Sequence, residues 1–592
     1  MQKVVLVFTV FMLATQSYAQ LNTFKEGDVI SAEQMNQNFE SLINSNLLRS
    51  TAVNCDQGET INGAIEQGFN DITVSGTCNE NLDFTVWRDS AVDGRTPNEK
   101  LAPRHLKLSS GSTPGVIVDA SSNTRSTITV TNGSTLILEN ISVQGGTHTV
   151  YATRNSNLLM TGGVTIEGFT ERGIRIEDSS YLGVDEGGVT ITGGTGAGRG
   201  VFVGMGSSAW IHTSNIANVE QGMTIYGGSY VLLCNFTIEA SKRGIAIGDH
   251  STVVRHQDGA GLITGTSDRA INAWQGNFYN WSPGSLTIQN LQGGQGIAIG
   301  RGGSSYIANL KMLDFDSTGS DWSPAINVEI NSTLELEGAE ISGSTDNSLI
   351  QIAAHSGGGI NNSIITATSA GTAIKIDSGS AVQVDGGSTI TVASAGVGIE
   401  VGRNSLLNFL NSTITGTATD GALVSISQGS TAEVRDSTIS LASNEDGMRV
   451  SANSWLNIRN STISGSTING GTLLTLSGGS SSEVRDSTLT IDTMNRAISI
   501  EDNSGLSLRN STLSGTATEE LVIVSRNSNM VIRNESTLSK TASDFPDIFV
   551  SQLSFLNVWN NETPINSVYC YNKGYVGASE GMVTVLAPSC TE

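Results

Sequence analysis

Proline is nearly missing from this chain, with 8 residues in 592 against 68 glycines. A proline-stiffened stalk is excluded, and turns must be built from glycine and short polar residues. Aromatic residues make up 5%, so the interior has to be aliphatic. Five cysteines are too few for a disulfide-dense scaffold. Basic residues number 31 against 55 acidic ones, a formal charge of −24. Such a chain is not expected to bind nucleic acid or anionic lipid. Past the N-terminus no apolar run is long enough to span a bilayer.

What the chain has instead is a period. Between Gly379 and Asn534, serines 380, 405, 430, 454, 480, 504 and 528 recur at intervals of 25, 25, 24, 26, 24 and 24 residues. Each follows Gly or Asn. A second marker comes a few residues later: Asn411, Asp436, Asn460, Asp486 and Asn510, each followed by Ser-Thr-Ile or Ser-Thr-Leu. Alternating apolar and polar residues separate the markers, the pattern of a strand with one buried face. Three short strands and three turns fit one period, so each period reads as one turn of a parallel β-helix, expected to be right-handed. Gly and Asn enter the left-handed backbone region most cheaply, which implies one turn geometry repeated on every layer. Interleaving Asn with Asp separates carboxylates that would otherwise stack ~4.8 Å apart. The 49- or 50-residue spacing of like markers suggests growth by duplication of a pair of turns.

Taken in order, residues 1–19 read as a cleaved secretory signal: Lys3, an apolar run Val4–Ala14, then Ser17-Tyr18-Ala19. Residues 20–50 read as a helical segment, with Ser31 and Gln34 as a capping box and Met35, Phe39, Leu42, Ile43 and Leu47 on one face. It would cover the open end of the coil, or serve attachment or homo-oligomer assembly. Its phrase Phe24 to Phe39 resembles a short segment found after the signal peptide in exported proteins of Gram-negative bacteria. Residues 51–110 are expected to form an N-terminal cap and first strands, residues 111–554 the β-helix, and residues 555–592 a C-terminal cap. No strand series of an outer-membrane barrel follows, so self-export is not expected. Cys55 and Cys78 form one local pair and Cys570 and Cys590 another, which fits an oxidising compartment. Cys234 is left over and is expected to be a buried thiol.

The stretch from Cys55 through Gly76-Thr77-Cys78-Asn79-Glu80-Asn81 resembles the opening of secreted right-handed β-helix proteins of the pectate-lyase-like superfamily. The likeness extends in pattern over residues 52–560. It implies a fold and not a reaction, because that superfamily holds lyases, hydrolases, epimerases, tailspikes and non-catalytic surface proteins.

Followed backwards, the serine marker continues less regularly through residues 134, 156, 180, 207, 229, 251, 285, 304, 332 and 356. With Ser554 this makes about eighteen turns and a rod roughly 80–90 Å long. The gaps 251–285 and 304–332 read as insertions that leave the coil as side loops. A basic loop is expected between Trp87 and Lys107.

The candidate binding residues lie in those gaps: Trp274, Phe278, Tyr279, Trp281 and, in the second, Trp322. Aromatic rings stack on the C–H faces of sugars, although the same rings could pack the loops onto the coil. Nearby Arg255, His256 and Asp258 offer residue types for a glycan lyase or hydrolase, without a motif spacing. Asp314, Asp316 and Asp321 surround a glycine in a way similar to a calcium loop, but the terminal Glu is missing. No other cofactor is expected. The arginines 435, 459, 485, 509 and 533 make a stripe that Glu433, Asp436, Glu483, Asp486 and Glu535 nearly neutralise. Thr-Ile-Thr/Ser strings stack as outward hydroxyl columns, as on β-helical ice-binding proteins. The expectation is a secreted or cell-surface, adhesin-like protein that binds polysaccharide or cell-surface glycan. The alternatives are a polysaccharide lyase or hydrolase acting at 250–325, and ice binding.

Overall fold

The structure is a computed structural model that describes residues 49–85 and 105–585, except 195, 197, 257–258, 292, 319–323, 420, 443–445, 467–470, 542–544, 560–564 and 579–582. The stretches read above as a signal sequence and a helical segment, up to residue 48, and most of the expected basic loop lie outside the described residues. Among the latter, no helix is long and apolar enough to cross a membrane.

The chain winds into a parallel β-solenoid of about eighteen turns. Each turn contributes to three ladders. In the regular part, Leu406–Leu410, Thr431–Arg435 and Trp455–Arg459 stack in the first ladder. Thr413–Ala418, Thr438–Ala442 and Thr462–Ser466 stack in the second. Val424–Ile426, Met448–Val450 and Thr472–Leu476 stack in the third. Alternation points every second side chain inward. The inward residues form aliphatic columns such as Ile390, Ile414, Ile439 and Ile463, all fully buried. Each such side chain contributes about 1.5–3 kcal/mol by leaving water.

The period has a hydrogen-bonding cause. The marker serines are buried, and the hydroxyls of all but Ser454 accept from the backbone N–H one turn earlier. Ser380 N–H donates to Ser405 Oγ at 3.2 Å, Ser405 to Ser430 at 3.2 Å, and Ser480 to Ser504 at 3.2 Å. A second buried serine ladder runs beside the Asn/Asp marker, with Ser412 donating to Ser437 and Ser437 to Ser461, both at 3.2 Å. Both ladders satisfy buried amides at corners where the chain leaves the sheet. The preceding turn takes two left-handed residues, not one. Arg403 and Asn404 have φ of 51° and 61°, Gln428 and Gly429 57° and 76°. The Asn/Asp marker is left-handed throughout, from 45° at Asn411 to 53° at Asp436. Asn411 and Asn510 donate along the stack to Asp385 and Asp486, so the interleaving does bond amide to carboxylate.

Two sequence expectations change. Ser285 and Ser304 are not in the serine column. Register pairs Thr252 with Asn277, and Asn277 with Ser304, so Gly276 and Gly303 hold the corner position. A Cβ at Gly276 would lie 2.5 Å from Ile247, and one at Gly303 2.6 Å from the Ala273 carbonyl, which leaves no room for serine. The stretch from Ser251 to Gly303 is thus an ordinary 25-residue turn followed by one of 27, and the 34-residue gap is no insertion. Nor does the coil stop at residue 554. Phe555–Trp559 pairs in parallel with Asn529–Arg533, and Tyr575–Ala578 with Phe555–Trp559. At the other end Ser50–Asn54 already pairs with Asp71–Asn79, and Asp71–Asn79 with His105–Val118. A short helix, Ile61–Glu66, closes that end, capped by Thr60 and by Glu80, which accepts from the N–H groups of Ile61 and Asn62. Cys55 and Cys78 are disulfide-bonded across it. Cys570 is also disulfide-bonded, and Cys590 lies outside the described residues.

Candidate functional site

The first ladder has two outward personalities. From Glu335 to Asn457 its middle outward column holds no apolar side chain: Glu335, Gly359, Gln383, Asn408, Glu433 and Asn457. From Ile137 to Tyr306 the same column is apolar but for one glycine: Ile137, Leu159, Gly183, Trp210, Leu232, Val254, Tyr279 and Tyr306. Trp210 is 46% exposed, and Tyr230, one column over, is also 46%. Apolar side chains pointing outward on seven of eight successive turns are not explained by packing inside the coil.

The face ends in three roughly parallel rings. Trp281 stacks on Tyr306 with centroids 4.3 Å apart and on Tyr279 at 6.0 Å, while remaining 54% exposed. Tyr306 donates its hydroxyl to Glu337, and that bond is the chief reason its pKa is pushed up to about 12. The phenol stays neutral and fixed beside the indole.

Arg255 is fully buried inside the coil and does not reach the surface. Its Nε donates to the Cys234 carbonyl at 3.3 Å, its Nη1 to Asn280 Oδ1 at 2.9 Å and the Gly284 carbonyl at 3.0 Å, and its Nη2 to the Gly259 carbonyl. It ties Gly259 to Gly284, which lie on successive turns. The Trp281 N–H donates to the Arg255 carbonyl at 3.1 Å. Arg255 therefore holds from beneath the loop that displays Trp281. Burial lowers its pKa to about 10, still charged near neutrality. His256 is exposed, and Asp258 lies outside the described residues.

The expected aromatic cluster divides. Tyr279 and Trp281 share the first-ladder surface. Phe278 alternates inward and is wholly buried in the core. Trp274 belongs to the third ladder, where it pairs with Gly300 and lies under the Arg301 guanidinium at 5.3 Å. Trp322 lies outside the described residues. Sequence reasoning missed Trp210, Tyr230 and Tyr306, which are far apart along the chain. A signal for two of them was present: Trp210, Tyr279 and Tyr306 are each the third residue after the corner residue Ser207, Gly276 or Gly303.

Asp314 and Asp316 are exposed on the strand Leu310–Asp316. One Asp316 oxygen accepts from the Thr318 N–H at 3.0 Å and its hydroxyl at 2.8 Å, and these bonds lower the Asp316 pKa. Asp321 lies outside the described residues. Cys55, Cys78 and Glu80 are the one grouping of ligating atoms found among the described residues, and there the sulfurs are bonded to each other. Cys234 is buried, its thiol pKa is raised by burial, and it lies in hydrogen-bonding contact with Trp210. On the second ladder Thr389, Thr413, Thr438, Thr462, Thr488, Thr512 and Thr537 form an unbroken outward column. Its companion column mixes Thr391, Thr415 and Thr490 with Ser440, Ser464 and Ser514.

The family described as a right handed beta helix region matches residues 324–489 and 382–537, which is the most regular part of the coil. No curated protein matches the sequence. The family match and the parallel register together make this chain a right-handed parallel β-helix protein.

Proposed function

We propose that this is an exported, adhesin-like protein that binds a polysaccharide or cell-surface glycan without cleaving it. The ligand lies on the apolar outward face of the first ladder, and the Tyr279–Trp281–Tyr306 ring stack is the observation that carries the reading. Flat, exposed rings backed by a hydrogen-bonded tyrosine suit the C–H face of a sugar, whose hydroxyls stay in water. The apolar leader and the cysteine pair Cys55–Cys78 fit an exported chain. The test is a glycan array probed with the native chain and with Trp281→Ala and Tyr306→Ala, together with an assay for new reducing or unsaturated ends. Binding by the native chain, loss of at least tenfold in both variants and no new ends are expected. Release of ends would transfer the reading to a lyase or hydrolase. That reading has lost Arg255 as a surface cation, since the side chain is committed to the interior.

The threonine column favours a second reading, ice binding. Serine in half of the companion column interrupts the methyl lattice that such a surface would use. Thermal hysteresis abolished by Thr438→Lys would support it.

A further inference from the structure

The third ladder carries a feature that the ring face does not use. His148, Arg172, Arg199, Gln221, Arg243 and Arg269 stack in register as one outward column. Neighbouring outward positions hold Tyr151, Arg175 and Phe202. Arg175 and Arg172 both approach His148 Nε2, at 2.8 and 3.5 Å. Arg175 lies over Tyr151 at 4.5 Å, and Arg172 and Arg199 lie over Phe202 at 4.7 and 5.5 Å.

The carboxylates do not balance these charges. Glu177 takes Arg175 at 2.6 Å. Glu171 is exposed and 4.0 Å from Arg172. Among the described residues, Arg199 has no ion pair. The buried nitrogens Arg172 Nε, Arg175 Nε and His148 Nδ1 have no hydrogen-bond partner. Desolvation first, and then Arg175 and Arg172, hold the His148 pKa near 4, so the imidazole is neutral. The Arg172 pKa is lowered by burial and by the neighbouring Arg175 and Arg199. Three guanidinium groups on two successive turns thus share one well-placed counter-charge, in a chain whose net charge is −24.

We propose that the His148–Arg172–Arg175–Arg199 cluster binds an oxyanion group, sulfate or carboxylate, carried by a linear acidic polysaccharide running along the third ladder. Guanidinium presents paired donors that match such groups. Aromatic rings beneath Arg172, Arg175 and Arg199 hold the planes in place. Arg243 and Arg269 continue the column and share Asp268, at 2.5 and 3.7 Å. Gln221, between Arg199 and Arg243, keeps the row polar without adding charge. Donors recurring every ~4.8 Å favour a polymer with repeated acidic groups over a lone small anion. The overall negative charge repels polyanions, so any binding must be local to this cluster. The site lies on a different ladder from the ring stack, and the failure of one proposal leaves the other standing.

The test uses the whole chain with heparin, polygalacturonate and dextran as probes, titrated calorimetrically at low and physiological salt. Saturable binding of heparin or polygalacturonate, but not dextran, is expected. Heparin alone would identify sulfate as the group, and polygalacturonate alone carboxylate. Arg199→Gln should weaken binding roughly tenfold or more, as loss of a charge-assisted contact does. Arg199→Lys should restore part of the loss, and Arg435→Gln, on the first ladder, should change nothing. Circular dichroism checks that the variants are folded. The Arg199 side chain makes no hydrogen bond or ion pair among the described residues, and the substitutions leave its backbone bond to the Glu171 carbonyl in place, so they should not disturb the coil. Failure to bind either polyanion, equal binding of dextran, or equal loss in Arg199→Gln and Arg435→Gln would overturn the proposal.

Discussion

The serine ladder makes a prediction with its control built in. The Ser454 N–H donates to Ser480 Oγ at 3.2 Å, and both residues are buried. Ser480→Ala would leave that N–H without a partner in a place water does not reach. A buried unsatisfied donor costs about 1–3 kcal/mol, while losing the oxygen itself opens almost no cavity. Ser454 occupies the same column one turn earlier, but its hydroxyl has no partner among the described residues. The Ser430 N–H that could have used it donates to the Ser427 carbonyl at 3.3 Å. Ser454→Ala should therefore be nearly silent. A solenoid does not unfold as one unit, so a single melting temperature is a poor measure. Amide hydrogen exchange reads the local opening energy. Exchange at residue 454 should accelerate roughly 5- to 150-fold in Ser480→Ala, the range that about 1–3 kcal/mol implies. Exchange at residue 430 should stay within twofold of the native rate in Ser454→Ala. Equal acceleration in both variants, or none in either, would refute the claim that the hydroxyls staple the turns.

Other expectations follow from single contacts. Arg255→Met would strand the carbonyls of Cys234, Gly259 and Gly284, a local cost of about 3 kcal/mol. It should speed exchange at the Trp281 amide and weaken glycan binding without touching the ligand. The pair Cys55→Ser with Cys78→Ser should destabilise the N-terminal turns by about 3 kcal/mol, seen as earlier proteolysis there than in the regular half. His148 is held neutral, with its pKa lowered from 6.5 to about 4. The unfolded chain takes up that proton first as pH falls. His148 thus contributes a loss of stability that begins near pH 6.5 and is complete below about 4. His148→Gln should flatten this part of the acid denaturation profile, and an unchanged profile would contradict the assignment.

The architecture was legible because a solenoid repeats its constraints. The left-handed corner, the buried hydroxyl and the inward aliphatic residue recur every turn, and each restricts the residue it accepts. Ser405, Ser430, Ser454 and Ser480 form a column for that reason. The same logic misled where a corner changed residue. Gly276 and Gly303 replace serine because the backbone approaches closely there, so counting serines alone created an insertion that does not exist. The aromatic site was half visible. Adjacent rings in sequence suggested one platform, but alternation sends Phe278 inward between Asn277 and Tyr279, and a corner separates Trp274 from them. Conversely, Tyr306 is 25 residues from Trp281 and yet stacks on it. Contacts across turns belong to register, and register requires the corner positions to be assigned correctly first.

That dependence bears on how the molecule divides its labour. In a stack, inward and corner residues set stability, while each outward residue is answerable only to its neighbours above and below. In the regular half, outward columns repeat polar residues and ion pairs such as Arg485 with Asp486 at 3.1 Å. Such pairs on a wet surface contribute little, and their regularity follows from duplication of turns rather than from a ligand. In the earlier half the backbone constraints are unchanged, but the outward column turns apolar from Ile137 to Tyr306 and stops at Glu335. Nothing in the coil requires that change, because the inward columns are equally full on both sides of the boundary. An exposed apolar row carries a solubility cost. Its place on one ladder of the earlier half, beside a row of under-neutralised arginines on another, is the reason both binding proposals are made there.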